Sequence, residues 1–239
     1  MLHSRYLLEP GYMGCIGKGV GYPGRESERK GKMKNKKTRR IAVAGMLAAV
    51  CLLLNLTDIG IIPVPPAGIA IIHIPVIIGA ILEGPVIGLF LGLVFGLSSM
   101  WSAVVRPMPL SPIFLDPVVA VIPRLFVPLA AYFAYRIGRG LFLRLRGGDA
   151  LAAGLGAAAG TLANTVLVLL AIYIRHADTF ASAMGLEPPQ ILGALAAIGL
   201  TNGSLEVTAA IIITIAAYKA VSRAYPERGL RADTDGGKR

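Results

Sequence analysis

Two charged residues stand where an apolar chain should carry none. Arg124 sits in the run 117–136 and Glu206 in the run 190–219, both dominated by aliphatic residues. Ionisable groups in such surroundings are costly and mark a pair, a cavity or a site. Asn202 lies four residues before Glu206, so a helix sets both on one face. Thr161, Asn164 and Thr165 share a face of a further apolar run. Together they offer a cation, a carboxylate and several neutral hydrogen-bonding groups. That set suits a small polar solute. The residues alone fit two arrangements. Either Arg124 and Glu206 pair as a structural bridge, or both face a cavity that holds the solute.

Further candidates flank these. His73 opens the second apolar run, where it reads as a helix-start hydrogen bonder or a ligand. Ser98 and Trp101 close the third run, and Arg106 lies in the Pro-rich segment after it. Trp101 offers a ring for stacking, Ser98 a hydroxyl and Arg106 a second cation. The three histidines are scattered, and Cys15 and Cys51 have no ligand spacing, so neither metal nor cofactor is expected. Gly96-Leu97-Ser98-Ser99 is a faint match to a serine nucleophile turn but lacks a glycine after the serine. No phosphate-cradling Gly-x-x-x-x-Gly-Lys-Ser/Thr loop occurs, so any ATPase must be a separate chain. An enzyme is not expected.

The elements that position these residues follow from composition. The chain has 239 residues, is 55% hydrophobic and 15% charged, and has a mean hydropathy of +0.67. An ordinary soluble domain is about 25% charged. The net charge is nevertheless +11. Grease and charge coexist only if they are segregated, as in an all-α integral membrane protein. Six apolar segments occur, at about 40–57, 71–83, 85–103, 117–136, 150–174 and 190–219. They predict a six-transmembrane-helix bundle over 38–220. The second segment is short of the ~20 residues a crossing needs. It must start within the apolar loop 59–70 or lie tilted and buried, and Pro63-Val64-Pro65-Pro66 opposes continuous helix from the first span.

Nineteen of the 24 Lys and Arg fall in 25–40, 136–146 and 219–239, and only Arg106 and Arg175 lie in the opposite loops. This asymmetry places both termini in the cytoplasm of a cell membrane. The positive charge is then a topology signal with anionic-lipid contact, not a nucleic-acid footprint. Residues 1–37 are expected to be a disordered basic leader and 221–239 a disordered cytoplasmic tail. Residues 1–32 also read as translated leader ahead of a start at Met33.

Small residues supply the packing. Gly84, Gly88, Gly92 and Gly96 stack on one helix face, and Gly156 and Gly160 repeat the device. Ala44 and Ala48 form a smooth stripe on the first span, read as bundle packing or a subunit-docking face.

Several of these segments resemble a known family. Ile72-His73-Ile74-Pro75-Val76-Ile77-Ile78-Gly79-Ala80, Glu83-Gly84-Pro85 and Gly88-Leu89-Phe90-Leu91-Gly92 are similar to S components of energy-coupling factor (ECF) transporters. So are Pro123-Arg124-Leu125, Thr161-x-x-Asn164-Thr165 and Thr201-Asn202-Gly203-x-x-Glu206. The resemblance covers about 38–220 and is nearest the pantothenate and pyridoxine/hydroxymethylpyrimidine branch. It implies a bacterial six-helix vitamin binder that docks on a T subunit carrying two cytoplasmic ATPases. It implies that the first span, hence Ala44 and Ala48, meets the T subunit. It also implies a site in the outer half, under the loop after the first span. Pantothenate is the first choice of substrate. Arg124 or Arg106 would hold its carboxylate, and Ser98, Asn164 and Asn202 its hydroxyls and amide. Glu206 would accept from a hydroxyl or hold the arginine. A pyridine or pyrimidine vitamin would instead stack on Trp101, and folate or another vitamin is a further alternative. A self-contained carrier or channel is the competing class, although the halves show no internal repeat.

Overall fold

The computed structural model describes the backbone of residues 23–57, 60–62, 69–142, 144–145 and 147–224. The Pro63–Pro66 cluster, the leader up to residue 22 and the tail from 225 lie outside the described residues. Two units divide after Arg39. The elements run α1 (Pro23–Leu56), β1 (Ile61–Ile62), β2 (Ile69–Ala70), α2 (Ile74–Glu83), α3 (Pro85–Val105), α4 (Ser111–Phe114), α5 (Pro117–Ala120), α6 (Ile122–Phe142), α7 (Gly148–Met184) and α8 (Ile191–Ala224). Helix α1 thus begins inside the segment expected to be disordered.

Five stretches among the described residues are helical, long and apolar enough to cross a bilayer. They are Lys37–Leu56 of α1, α3, α5 with α6, α7, and α8 with the short turn before it. The second apolar segment differs from a full span. Helix α2 has 10 residues and rises about 15 Å, half of a ~30 Å hydrocarbon core. Its last residue is level with the start of the first span. The Arg40 guanidinium donates to the Glu83 carbonyl at 2.6 Å and lies 3.5 Å from the Glu83 carboxylate.

Among the described residues, non-helical backbone precedes α2. Strand β1 pairs antiparallel with β2, Ile61 opposite Ala70 and Ile62 opposite Ile69. Gly60 N–H donates to the Leu54 carbonyl at 3.1 Å, and Ile71 N–H to the Gly60 carbonyl at 2.8 Å. The Cys51 thiol reaches the Ile72 carbonyl at 3.8 Å. Irregular backbone at membrane depth is tolerated only where protein satisfies its polar groups. These bonds tie the hairpin to α1 and do so.

Glycines set how closely the helices meet. A Cβ on Gly92 would stand 2.4 Å from the Arg124 carbonyl oxygen, one on Gly88 2.7 Å from Pro128 Cβ, and one on Gly96 2.9 Å from Val121 Cα. Three rungs of the ladder therefore seat α3 on the chain of α6 and its lead-in. Gly84 is not a rung. Its φ of 97° ends α2, and Pro85 starts α3 behind it. Gly156 and Gly160 bring α7 against Ala131 of α6, 2.8 Å to its oxygen and 3.1 Å to its Cβ.

On α1 the buried stripe is Ala44, Ala48, Cys51 and Asn55. Of the two readings of Ala44 and Ala48, the structure shows packing inside the bundle. The outward small residues are Ala42, Gly45 and Ala49. A second apolar cluster closes the end away from Arg40. There Ile113 and Val119 pack with Ile172 and Phe180 of α7 and with Ile191 and Leu195 of α8.

Candidate functional site

Arg124 lies in the first turn of α6 and is 6% exposed. Its Nη1 donates to the Val119 carbonyl at 2.7 Å. The guanidinium sits between two rings, 5.2 Å from the Phe95 centroid and 5.5 Å from that of Phe114. Such contacts offset part of the cost of removing the cation from water. Its Nε has no partner. Among the described residues no carboxylate lies within ion-pair distance of it. A buried charge left without a counter-charge is an expensive arrangement.

Glu206 does not pair with Arg124, which corrects the structural-bridge expectation. One carboxylate oxygen accepts from the Ala70 N–H of β2 at 2.8 Å. The other lies 3.3 Å from the Thr165 hydroxyl, which is also 3.2 Å from the Thr161 carbonyl. The single hydroxyl proton serves one of these at a time. The physical reason for the correction is that the backbone N–H of Ala70 and the Thr165 hydroxyl occupy the Glu206 carboxylate instead. Glu206→Ala should lower the thermal midpoint by the equivalent of about 1–3 kcal/mol, the cost of an orphaned donor. Glu206→Gln keeps a carbonyl acceptor and should lose less. Thermal unfolding of the purified variants measures both, and equal midpoints for Ala and wild type would refute the role.

His73, fully buried, lies 3.0 Å through Nε2 from the Thr161 hydroxyl, while its Nδ1 is unpartnered. Asn164, one turn along α7, is buried with its Oδ1 unpartnered. Asn202 is buried one turn from Glu206 on α8. Three buried polar atoms without partners thus come from the start of α2, from α6 and from α7. Of the three residues, His73 touches Thr161, whose carbonyl is shared with the Thr165–Glu206 contact. His73, Arg124, Asn164, Asn202 and Glu206 are all buried, and hydrogen bonds link His73 and Glu206 to neighbouring threonines of α7.

The other three candidates stand apart. Asn55 Nδ2 donates to the Ser98 hydroxyl at 2.7 Å, and that hydroxyl also lies 2.9 Å from the Phe95 carbonyl. Arg106 donates to the Asn55 carbonyl at 2.7 Å. Both residues fasten α3 to the end of α1. Trp101 is 62% exposed on the outward face of α3, so it is not available for stacking inside the bundle. Reading the sequence missed Asn55, Phe95 and Phe114. Asn55 carried a signal, as a lone amide at the end of an apolar run; the two phenylalanines carried none.

Long apolar helices around buried, incompletely satisfied polar groups define a polytopic membrane protein. Residues 39–218 match the family described as ECF transporter, substrate-specific component. The chain belongs to that family, and so is a multi-pass protein of the bacterial plasma membrane. The pantothenic acid transporter PanT of Lactococcus lactis subsp. cremoris is 35% identical over 208 residues, 80% of this chain and 98% of the relative. The pantothenate transporter PanT of Leuconostoc mesenteroides subsp. mesenteroides is 32% identical over 192 residues, 77% of this chain and 92% of the relative.

Proposed function

We propose that the chain binds pantothenate on the outer side of the membrane as the S component of an ECF importer. The observation that carries this reading is Arg124, a buried guanidinium with a free Nε and no carboxylate beside it. Pantothenate brings a carboxylate to complete it, with the amide and hydroxyls that Asn164, His73 and Asn202 would bond. A neutral pyridine or pyrimidine vitamin would leave the cation uncompensated, and Trp101 points away from it. Equilibrium binding of radiolabelled pantothenate to the purified protein tests this. Saturable binding, competed poorly by the neutral alcohol pantothenol, is expected. Absence of binding, or equal competition by both, would overturn it.

Six passes put both termini in the cytoplasm, the second pass being the hairpin followed by α2. The basic end at Arg40, Arg139 and Lys219 is then cytoplasmic, as the distribution of Lys and Arg requires. Import rests on a T subunit and two ATPases in separate chains, because this chain has no nucleotide loop. With Ala44 and Ala48 turned inward, the small face of α1 left for docking is Ala42, Gly45 and Ala49. Among the described residues, a Cβ on Gly45 would meet no atom beyond its own stretch of helix within 4 Å. Gly45→Leu should therefore leave pantothenate binding intact and sharply reduce co-purification with a T subunit. Unchanged co-purification would remove this face from the interface.

A further inference from the structure

Besides the Phe95 ring of α3, one short segment holds Arg124 from outside its own helix. The Phe114 ring at the end of α4 lies over the guanidinium, and the Val119 carbonyl in α5 accepts from it. Residue 116 lies midway between those two contacts. Asp116 Oδ1 accepts from the Val118 N–H at 2.9 Å and caps α5. Its Oδ2 accepts from Arg175 Nε at 2.6 Å and lies 3.0 Å from His176 Nε2. Both partners belong to α7.

The backbone of α7 is broken to allow this. His176 has φ −137° and ψ 30°, outside the helical region, with helix on both sides. Consecutive residues of a regular helix point about 100° apart, so one carboxylate oxygen could not readily meet both. The break lets Arg175 and His176 converge. Asp116 is only 12% exposed, and the Arg175 guanidinium and the cap together hold its carboxyl well below the ordinary range, at about 2.

We propose that Asp116, through its tether to Arg175 and His176, is a positioning residue for the substrate-binding guanidinium of Arg124. The proposal rests on Arg124 holding the pantothenate carboxylate. Asp116 touches no substrate atom. It fixes the α4–α5 segment against α7, and that segment supplies the ring and the carbonyl that aim Arg124. Ile113 and Val119 already pack against α7 and α8, and the tether adds the polar contact that fixes the register of Phe114 and Val119 within that packing.

The test separates aim from fold. Asp116→Asn keeps a side-chain oxygen to cap α5, since Asn caps as well as Asp, and removes the ion pair. The readout is the ratio of pantothenate to pantothenol affinity, because only the carboxylate feels Arg124. Asp116→Asn should weaken pantothenate about tenfold, or about 1.4 kcal/mol, and pantothenol less than about twofold. Arg175→Gln, cutting the tether from the half-exposed α7 side, should move the ratio in the same direction and keeps the question answerable if Asp116→Asn folds poorly. Combined with Arg124→Gln, Asp116→Asn should add no further loss. Equal weakening of both ligands would make Asp116 merely structural, and an unchanged ratio would remove it from positioning. If Arg124→Gln moves the ratio and neither tether variant does, only this inference fails. If Arg124→Gln itself leaves the ratio unmoved, the carboxylate-anchor reading fails with it.

Discussion

Arg124→Gln weakens pantothenate binding about 100-fold while leaving pantothenol binding nearly unchanged. A hydrogen bond to a charged group contributes about 1.5–3 kcal/mol, and each 1.4 kcal/mol is about tenfold in affinity. The upper end applies because Arg124 is buried, where charge–charge contact is screened least. Glutamine is shorter than arginine and loses the Nη1 bond to the Val119 carbonyl, and unchanged pantothenol binding is what shows that the loss reports the missing cation rather than a collapsed site. Arg124→Lys keeps the charge but not the flat guanidinium that lies between Phe95 and Phe114. It should fall between Gln and wild type.

Stability should move the opposite way. A buried cation with no counter-charge is a liability in the empty protein, so Arg124→Met should raise the thermal midpoint measured without vitamin. Wild type should then gain from added pantothenate and Arg124→Met should gain nothing. A substitution that improves the empty protein and destroys binding is the signature of a residue kept for function. Wild-type affinity in Arg124→Gln, measured by equilibrium binding, would refute the anchor.

The charged residues were legible because an ionisable group in an aliphatic run has no innocent explanation. Their partners were not. Glu206 bonds to a backbone N–H 136 residues away in sequence, and a backbone donor leaves no mark on the side chains. The pairing with Arg124 was the simplest bridge between two opposite charges, and it failed because the Ala70 N–H and the Thr165 hydroxyl occupy the carboxylate. The shortness of the second apolar segment, with its proline cluster, announced that something other than helix completes that pass. Which atoms do so depends on the meeting of Ile61 with Ala70, which no local pattern encodes.

Trp101 was misplaced although the sequence held the answer. Phe90, Leu93, Leu97, Trp101 and Val104 recur at helical spacing opposite Gly88, Gly92 and Gly96, and all are exposed. A glycine face meets a neighbouring helix, so the bulky face meets lipid. For α1 no such asymmetry existed, since small residues occupy both faces, and only packing distinguishes Ala44 and Ala48 from Ala42, Gly45 and Ala49.

Gly92→Ala is the smallest change with a large structural consequence. On helix propensity alone it should help, by about 1 kcal/mol. The new Cβ, however, would stand 2.4 Å from the Arg124 carbonyl oxygen and 3.2 Å from its carbon. Both are backbone atoms of α6, which cannot rotate away as a side chain could. Overpacking a close contact costs about 1–3 kcal/mol, and a rigid partner puts this site at the upper end, so the clash outweighs the propensity. A net loss in thermal midpoint is expected for Gly92→Ala, and loss of folded protein for Gly92→Leu. Gly45→Ala is the matched control, because among the described residues its Cβ meets nothing beyond its own stretch of helix, so the propensity gain dominates. The damage at Gly92 also reaches function, since the displaced backbone belongs to the residue that holds the carboxylate. The Gly92→Ala protein that survives should therefore bind pantothenate more weakly, with its pantothenate-to-pantothenol preference reduced. Thermal unfolding in detergent and equilibrium binding check both parts. A Gly92→Ala protein as stable as Gly45→Ala would show that α3 and α6 can separate freely, and the glycine ladder would then not be what sets the position of Arg124.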